Sequence, residues 1–383
     1  GLIGVTGTNG KTTVSLLTQY LLKEDVVPVG LLGTIHYDLG LRKMPSDKTT
    51  PEIIDLYFML KRMKEAGCQQ VVMEASSQGI HQKRLKNVNF DVAVFLNLTR
   101  EHLDYHKNME NYFEVKSQLF DGKNGHLPRA AVINYDDPYG QRLICQVPEG
   151  VKVVSFGFDK AAMIRAENVR MNPEGSEFDV IWPNGQASVK TYLLGEYNIS
   201  NILAALAIGY VYNREMPFLV EKLANLPTVP GRMEKVDCGQ KFTVLVDYAH
   251  TDDALDNALK MLRKITKGRL LTVFGCGGNR DRSKRSKMTE AVQRWSDFCW
   301  ATSDNPRKEN IEQIFNDMQP GVIRPQSIRF IQDRREAIKS AIDEAQEGDC
   351  ILIAGKGHEA FQTFADTVVS FDDRLVARDL LKG

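Results

Sequence analysis

Leu2-Ile-Gly-Val-Thr-Gly-Thr-Asn-Gly-Lys-Thr-Thr13 is the stretch on which the fold turns. Residues 2–6 are short, apolar and partly β-branched, which predicts a strand, and residues 11–23 carry helical spacing. Between them, glycines let backbone N–H groups close on phosphate oxygens while the helix N-terminus adds its positive end. Lys11 is then placed to meet β- and γ-phosphates, and the Thr12 hydroxyl to ligate Mg²⁺. Val5 stands where the strict Gly-x4-Gly-Lys spacing asks for its first glycine.

Four other polar segments also follow short apolar runs. They are Asp247-Tyr-Ala-His250, Gly275-Cys-Gly-Gly-Asn-Arg280, Asp304-Asn-Pro-Arg307 and Gly355-Lys-Gly-His-Glu359. In open α/β sheets, ligands gather beyond the carboxyl ends of strands, so these segments imply an active site and, with the phosphate loop, use of ATP.

Periodicity divides the chain. Strands are predicted at 2–6, 70–75, 91–97 and 130–134, and helices at 11–23 and 52–66, the latter with Thr50 as cap, Pro51 in its first turn and Gly67 at its end. A β-rich interlude spans 151–194, punctuated by Pro173, Gly175, Pro183 and Gly185, and a helix follows at 198–211. Pro227-Thr-Val-Pro-Gly-Arg232 reads as a linker. Beyond it, strands at 242–246, 270–274, 298–301, 328–331 and 350–354 alternate with helices near 253–265, 284–295, 309–318 and 334–345. The expected class is therefore α/β: a central P-loop ATPase-like, doubly wound parallel sheet domain over 1–230 and a C-terminal Rossmann-like α/β domain over 231–383.

Composition narrows the function classes. The 383 residues carry 49 basic and 49 acidic side chains, leaving no net field for nucleic acid or a membrane surface. No apolar run approaches the ~18–20 residues of a membrane span, and the amino end runs directly into the phosphate loop, so the expected location is the cytoplasm. Six cysteines without a Cys-x-x-Cys pair indicate neither a zinc cage nor a disulfide framework. His102 and His106 would share one helix face, but no adjacent third ligand of zinc-site type accompanies them.

Gly4-Val-Thr-Gly-Thr-Asn-Gly-Lys-Thr-Thr13 resembles the phosphate loop of the Mur ligases. In order, Thr49-Thr-Pro51, Glu74-Ala-Ser-Ser77, Asn97-Leu-Thr-Arg-Glu-His-Leu-Asp-Tyr-His106, Gly195-Glu-Tyr-Asn198, Gly231-Arg-Met-Glu234, Asp247-Tyr-Ala-His250, Gly275-Cys-Gly-Gly-Asn-Arg-Asp281 and Gly355-Lys-Gly-His-Glu359 resemble motifs of the same family, in its MurE group. The resemblance implies an ATP-dependent amide ligase of peptidoglycan-precursor synthesis. Such a ligase adds meso-diaminopimelate to the D-Glu of UDP-MurNAc-L-Ala-D-Glu through an acyl phosphate.

The resemblance also implies roles. Lys11, Glu74, His102, Lys116 and Arg232 would be catalytic; Thr12, Glu74, His102 and a carbamylated Lys116 would serve Mg²⁺. Gly7, Thr8, Asn9, Gly10, Lys11, Thr12, Thr13, Asn198, Asn201, Arg232, Asp247 and His250 would contact ATP, with the two asparagines toward adenine and Asp247 toward ribose. Contacts from both domains imply closure over ATP, with Arg232 at the hinge. Thr49, Thr50, Ser76, Gln82 and Arg84 would hold the UDP-muramoyl-dipeptide, and Arg280, Asn305, Arg307, Gly355 and Glu359 the meso-diaminopimelate. Arg307 can pair bidentately with the distal carboxylate that lysine lacks. Taken singly, Glu74 also fits a surface ion pair, Lys116 a solvated helix charge and Arg307 a surface arginine.

Gln78 stands where the family commonly has histidine, and Asp252 where it has proline. The family's uridine-binding amino-terminal domain has no counterpart, so the sequence is either a piece of a longer ligase or a short form using a carrier without UDP. The 52–66 helix and the Arg307 loop favour the first. A lysine-adding ligase, a phosphate-loop switch and a non-catalytic partner subunit are the rival readings. A monomer acting on small molecules, without nucleic acid or membrane insertion, is the expected state.

Overall fold

In the computed structural model, which describes residues 1–24 and 26–383, Leu2–Thr6 lies inside a large sheet, parallel to Gln70–Glu74 on one side and Val92–Phe95 on the other. From one edge the strands run Gly185–Thr191, Gly175–Trp182, Ile164–Asn172, Lys152–Gly157, Ala130–Asn134, Val92–Phe95, Leu2–Thr6, Gln70–Glu74, Val29–Leu32, His36–Asp38 and Lys43–Pro45. The central strands are parallel and buried on both faces, as their unbroken apolar runs require. The β-rich interlude is an extension of that sheet. Lys152–Gly157 pairs parallel with Ala130–Asn134, and an antiparallel meander completes the edge.

Sequence reading overlooked Val29–Leu32, whose four residues are too few to show a period, and the short hairpin after it. Thr50 does not cap the second helix, Ile53–Glu65, which begins after Glu52 without a side-chain cap. The Thr50 hydroxyl lies 2.8 Å from Glu74 O and 2.9 Å from both Ser76 Oγ and Ser76 N, binding the end of Gln70–Glu74 to the loop before the helix. Gly67 does end that helix, at φ 82°.

The chain divides into two units, Gly1–Pro227 and Thr228–Gly383. In the second, Glu234–Lys235, Thr243–Asp247, Cys350–Ala354, Leu270–Cys276, Phe298–Ser303 and Ile328–Phe330 form a sheet that is parallel except for its first, two-residue strand. Its core joins Val244, Val246, Leu271, Val273, Trp300, Ile351 and Ile353 to Ala337, Ile338 and Ala341 of helix Arg334–Glu344. Full burial of each large apolar side chain contributes ~1.5–3 kcal/mol, fixing the strand ends from which the loops depart. A separate hairpin, Phe361–Phe364 with Thr367–Ser370, follows the last of these loops.

Candidate active site

The first unit gathers its candidate residues around the loop after Leu2–Thr6. Gly10 sits at φ 87°, and a Cβ there would collide with Asn201 Oδ1, so the glycine is required twice over. Asn97 locks the loop by a reciprocal pair: Asn9 N donates to Asn97 Oδ1 at 2.8 Å, and Asn97 Nδ2 donates to Asn9 O at 3.2 Å. Thr99 N donates to Thr8 Oγ1 at 3.0 Å, and the Tyr112 hydroxyl stands 3.3 Å from that same oxygen. Lys11 Nζ curls back to Gly7 O at 2.9 Å and Thr8 O at 2.8 Å. Thr13 is buried in the first turn of the helix.

Glu74 is the hub of this unit. Thr12 Oγ1 and Thr34 Oγ1 each donate to its Oε2 at 3.0 Å, and Thr34 N donates to Oε1 at 2.7 Å. At 1% exposure it is not a surface ion-pair residue. Lys116, also 1% exposed, donates to Gly7 O at 2.9 Å and Thr6 Oγ1 at 3.3 Å, so it is not a solvated helix charge. Burial, with Lys11 nearby, holds its pKa well below the ordinary lysine value. Thr12, Glu74, Lys11 and Lys116 thus converge on one loop. Hydroxyl and carboxylate oxygens are the donors that Mg²⁺ prefers, so Thr12 and Glu74 fit the ion.

His102 adopts φ 54° at the N-cap position of the short helix Leu103–His106, without a side-chain cap, and approaches Glu101 at 3.8 Å. His106 is engaged differently. It is buried, stacks on Tyr112 at 4.9 Å and meets Ser77 Oγ at 2.9 Å, while burial and then His102 and Lys116 push its pKa to about 4. His81, which sequence reading passed over, joins the group through Tyr105 at 2.9 Å.

The candidates for the larger substrate cluster beside Glu74. Thr49 Oγ1 lies 3.1 Å from Thr34 Oγ1, and Ser76 Oγ accepts from Gly79 N at 3.1 Å. Arg84 donates to Thr50 O at 3.0 Å and to Gln82 Oε1, and pairs with Glu52 at 3.3 Å. Asn198 and Asn201 are buried in helix Glu196–Val211 and bonded to each other at 3.2 Å, with Asn198 Nδ2 committed to Leu194 O at 2.8 Å. Asn201 therefore faces the phosphate loop, while Asn198 acts from behind it.

The second unit holds two groups. In one, Asp247 accepts from Met233 N and Ala249 N at 2.7 and 2.8 Å, and burial raises its carboxyl pKa although Arg232 opposes the shift. Arg232 lies over the Tyr248 ring at 4.7 Å, and His250 packs on the same ring at 4.6 Å. Asp252 opens helix Asp252–Ile265, where a carboxylate suits the positive helix end as well as proline suits the geometry.

In the other group, Arg307 Nη1 donates to Gly278 O at 2.7 Å while its backbone, at φ 55°, is tied to Thr363 O at 2.9 Å. Burial and then Arg280 lower its pKa, and Asp304 and Glu359 oppose them. Gly355 sits at φ 115°, and a Cβ there would fall 2.7 Å from Asp304 Oδ2. Asn305 is 3% exposed, and its amide engages neighbours: Nδ2 donates to Glu359 Oε2 at 2.9 Å, and Oδ1 accepts from Lys356 Nζ at 3.2 Å and Thr363 N at 3.1 Å. Sequence reading gave Lys356 no role. Its position inside Gly355-Lys-Gly-His-Glu359 was the available signal.

A phosphate loop backed by a hard-oxygen carboxylate, with a second set of strand-end loops rich in fixed charge, defines a nucleotide-using α/β enzyme. The chain belongs to the Mur ligase family. The Mur ligase middle domain matches residues 5–209, and the domain described as "Mur ligase, glutamate ligase domain" matches residues 231–357. A UDP-N-acetylmuramoyl-L-alanyl-D-glutamate--2,6-diaminopimelate ligase from Geobacillus thermodenitrificans is 44% identical over 100% of this chain and 78% of its own. That from Listeria monocytogenes is 40% identical over 98% of this chain and 77% of its own. A solved ligase of the same description superimposes with a TM-score of 0.71 at 35% identity, over 100% of this chain and 78% of that one. The Mycobacterium tuberculosis folylpolyglutamate synthase shares the fold, with a TM-score of 0.71 at 18% identity over 92% of this chain and 88% of its own.

Proposed function

We propose that the chain is an ATP-dependent amide ligase that joins meso-diaminopimelate to the D-glutamyl carboxyl of UDP-MurNAc-L-Ala-D-Glu. The named relatives at 44% identity support this reading. The observation that carries it is the convergence of Thr12, Glu74 and buried Lys116 on the phosphate loop. A carboxylate is a poor electrophile. Its oxygen therefore attacks the γ-phosphorus, the bond to ADP breaks, and the amine of the acceptor attacks the resulting acyl phosphate, expelling phosphate and releasing a proton.

Lys11 and the loop N–H groups bind and orient the phosphates, and Thr12, Glu74 and His102 would hold the metal. When bound, Mg²⁺ supplies charge neutralisation for the phosphate oxygens. Lys116 in its depressed-pKa state has the neutral amine that attacks CO₂, forming an N–C bond and losing a proton to give a carbamate. The product is an anion where the unmodified ammonium would repel the metal.

Arg232, Asp247, His250, Asn198 and Asn201 serve the nucleotide, and Thr49, Thr50, Ser76, Gln82 and Arg84 the muramoyl dipeptide. Arg307 and Arg280 take the carboxylates of the acceptor, and Glu359 its ammonium, with Gly355 admitting the backbone close to it. Balanced charge, 49 basic against 49 acidic residues, supports small-molecule partners over nucleic acid. Among the described residues no helix is long and apolar enough to cross a membrane. The reading adds a monomer in the cytoplasm, checked by sedimentation and fractionation.

Phosphate release from ATP with the muramoyl dipeptide should depend on meso-diaminopimelate, with lysine poorer by about 10⁴-fold because the guanidinium would lose its partner. Preference for lysine, or ATP hydrolysis that needs no amino acid, would overturn the assignment. Equal use of acceptor dipeptides with and without UDP would favour a short-form ligase.

A further inference from the structure

Lys356 lies in the second unit at the end of Cys350–Ala354, and it is 0% exposed. A lysine rarely accepts complete burial unless its charge is matched. Here the ammonium donates to Glu359 Oε2 at 3.1 Å and to Asn305 Oδ1 at 3.2 Å. Asn305 Nδ2 donates to the same Glu359 oxygen at 2.9 Å, so one carboxylate oxygen receives two donors from beneath. Thr363 N completes the frame by donating to Asn305 Oδ1 at 3.1 Å. The Glu359 side chain itself is 22% exposed, and among the described residues no hydrogen bond reaches its Oε1.

We infer that Lys356 is a positioning residue which, with Asn305, fixes the Glu359 carboxylate so that Oε1 meets the ammonium of the acceptor amino acid. The inference rests on the acceptor site proposed above. In this arrangement Asn305 braces Glu359 with one N–H of its side-chain amide, and the second N–H remains for the acceptor. One consequence follows from charge: the buried Lys356 ammonium, 3.1 Å from Glu359 Oε2, prevents Glu359 from folding across to Arg307, which would close the site on itself. A carboxylate held from below and two arginines nearby match a zwitterion better than they match either ion alone.

The test is a double-mutant cycle with Lys356→Met, Glu359→Gln and both together, reading meso-diaminopimelate affinity by calorimetry alongside KM and kcat. Lys356→Met should weaken affinity at least 30-fold and raise KM for the amino acid while leaving KM for ATP within 2-fold. On the Glu359→Gln background the same substitution should change affinity by less than 3-fold. Multiplying losses, or wild-type affinity in Lys356→Met, would overturn the inference and leave the acceptor assignment standing.

A crystal structure of the Lys356→Met protein decides the point whatever the acceptor proves to be. Movement of Glu359 Oε2 away from Asn305 Nδ2 supports the role, and an unmoved carboxylate refutes it. Absence of amino-acid binding by the wild-type protein would instead sink the proposed function, with the crystallographic result still judging Lys356. If Lys356→Met fails to fold, the paired Lys356→Met/Glu359→Gln protein removes the buried charge imbalance and serves in its place, compared with Glu359→Gln. Matching affinities there support the inference, and a further 10-fold loss overturns it.

Discussion

The two units organise their strand-end loops by different means. Around the phosphate loop the partners of the buried ionisable groups are hydroxyls and main chain, Thr12 and Thr34 for Glu74 and Gly7 O for Lys116, while Thr50 and Asn97 tie down the backbone of Glu74 and Asn9. In the second unit they are buried ions. Arg334 and Asp373, both 0% exposed, pair at 2.7 Å while Arg334 also donates to Ala354 O at 2.9 Å, immediately before Gly355. Arg285, 1% exposed, joins Asp317 at 2.7 Å and Glu309 at 2.8 Å. Phosphate is bound largely by backbone, which short side chains can brace. The amino acid proposed for the second unit would be bound by long side chains, and these need opposing charge beneath them.

The strongest way to break this contrast is Arg334→Met. Loss of the guanidinium strands the Asp373 carboxylate in a dry core, which should cost about 3–5 kcal/mol. Urea unfolding followed through Trp300 reads it, since that indole sits in the core of the second unit. Adding Asp373→Leu should recover most of the loss, because a well-packed apolar pair can replace a buried ion pair. A cost below about 1 kcal/mol for the single change would mean that the ion pair does not brace these loops.

Next in size is a kinetic effect in the first unit. Lys116→Ala should lower kcat by about 10²–10³-fold, the scale of losing one charge-stabilising group, with a short carboxylic acid restoring part of it. Undiminished phosphate release would remove Lys116 from the chemistry. Loss without rescue would leave the lysine but count against its carbamate.

The contrast also explains what could be read from the sequence. The phosphate loop is contiguous, and its strand, glycines and Lys11-Thr12 declare themselves within a dozen residues. Glu74 could be named only through motif resemblance, because Thr12 lies 62 positions away and its second partner, Thr34, carried no signal of its own. Thr50 was read as a helix cap because local pattern favours that use, whereas tertiary structure spends its hydroxyl on Glu74 and Ser76. Asn305 was read as a direct contact. Only the fold brings Lys356 and Glu359, more than fifty positions away, into hydrogen bonds with its amide. Burial of charge is a property of packing, and no spacing rule announces it.

Smallest in effect, and most diagnostic for the second unit, is its acid limb. His358 is buried against the Tyr248 ring at 5.1 Å, and burial, then Arg232 and Arg374, depress its pKa to about 4 while Asp372 opposes them. The unfolded imidazole keeps its ordinary value near ~6.5, so between those limits the unfolded chain binds a proton that the folded unit refuses. Stability contributed by neutral His358 is thus complete above about pH 6.5 and is lost as pH falls toward 4, with a slope of at most ~1.4 kcal/mol per pH unit. His358→Gln should flatten that slope in urea midpoints read at Trp300. The first unit should keep its own acid limb at Trp182, because His106 there is depressed to about 4 by burial, His102 and Lys116. Equal flattening at both indoles would show that the two units do not unfold as separate bodies, and the contrast between their scaffolds would then have to be tested by local exchange of backbone amides.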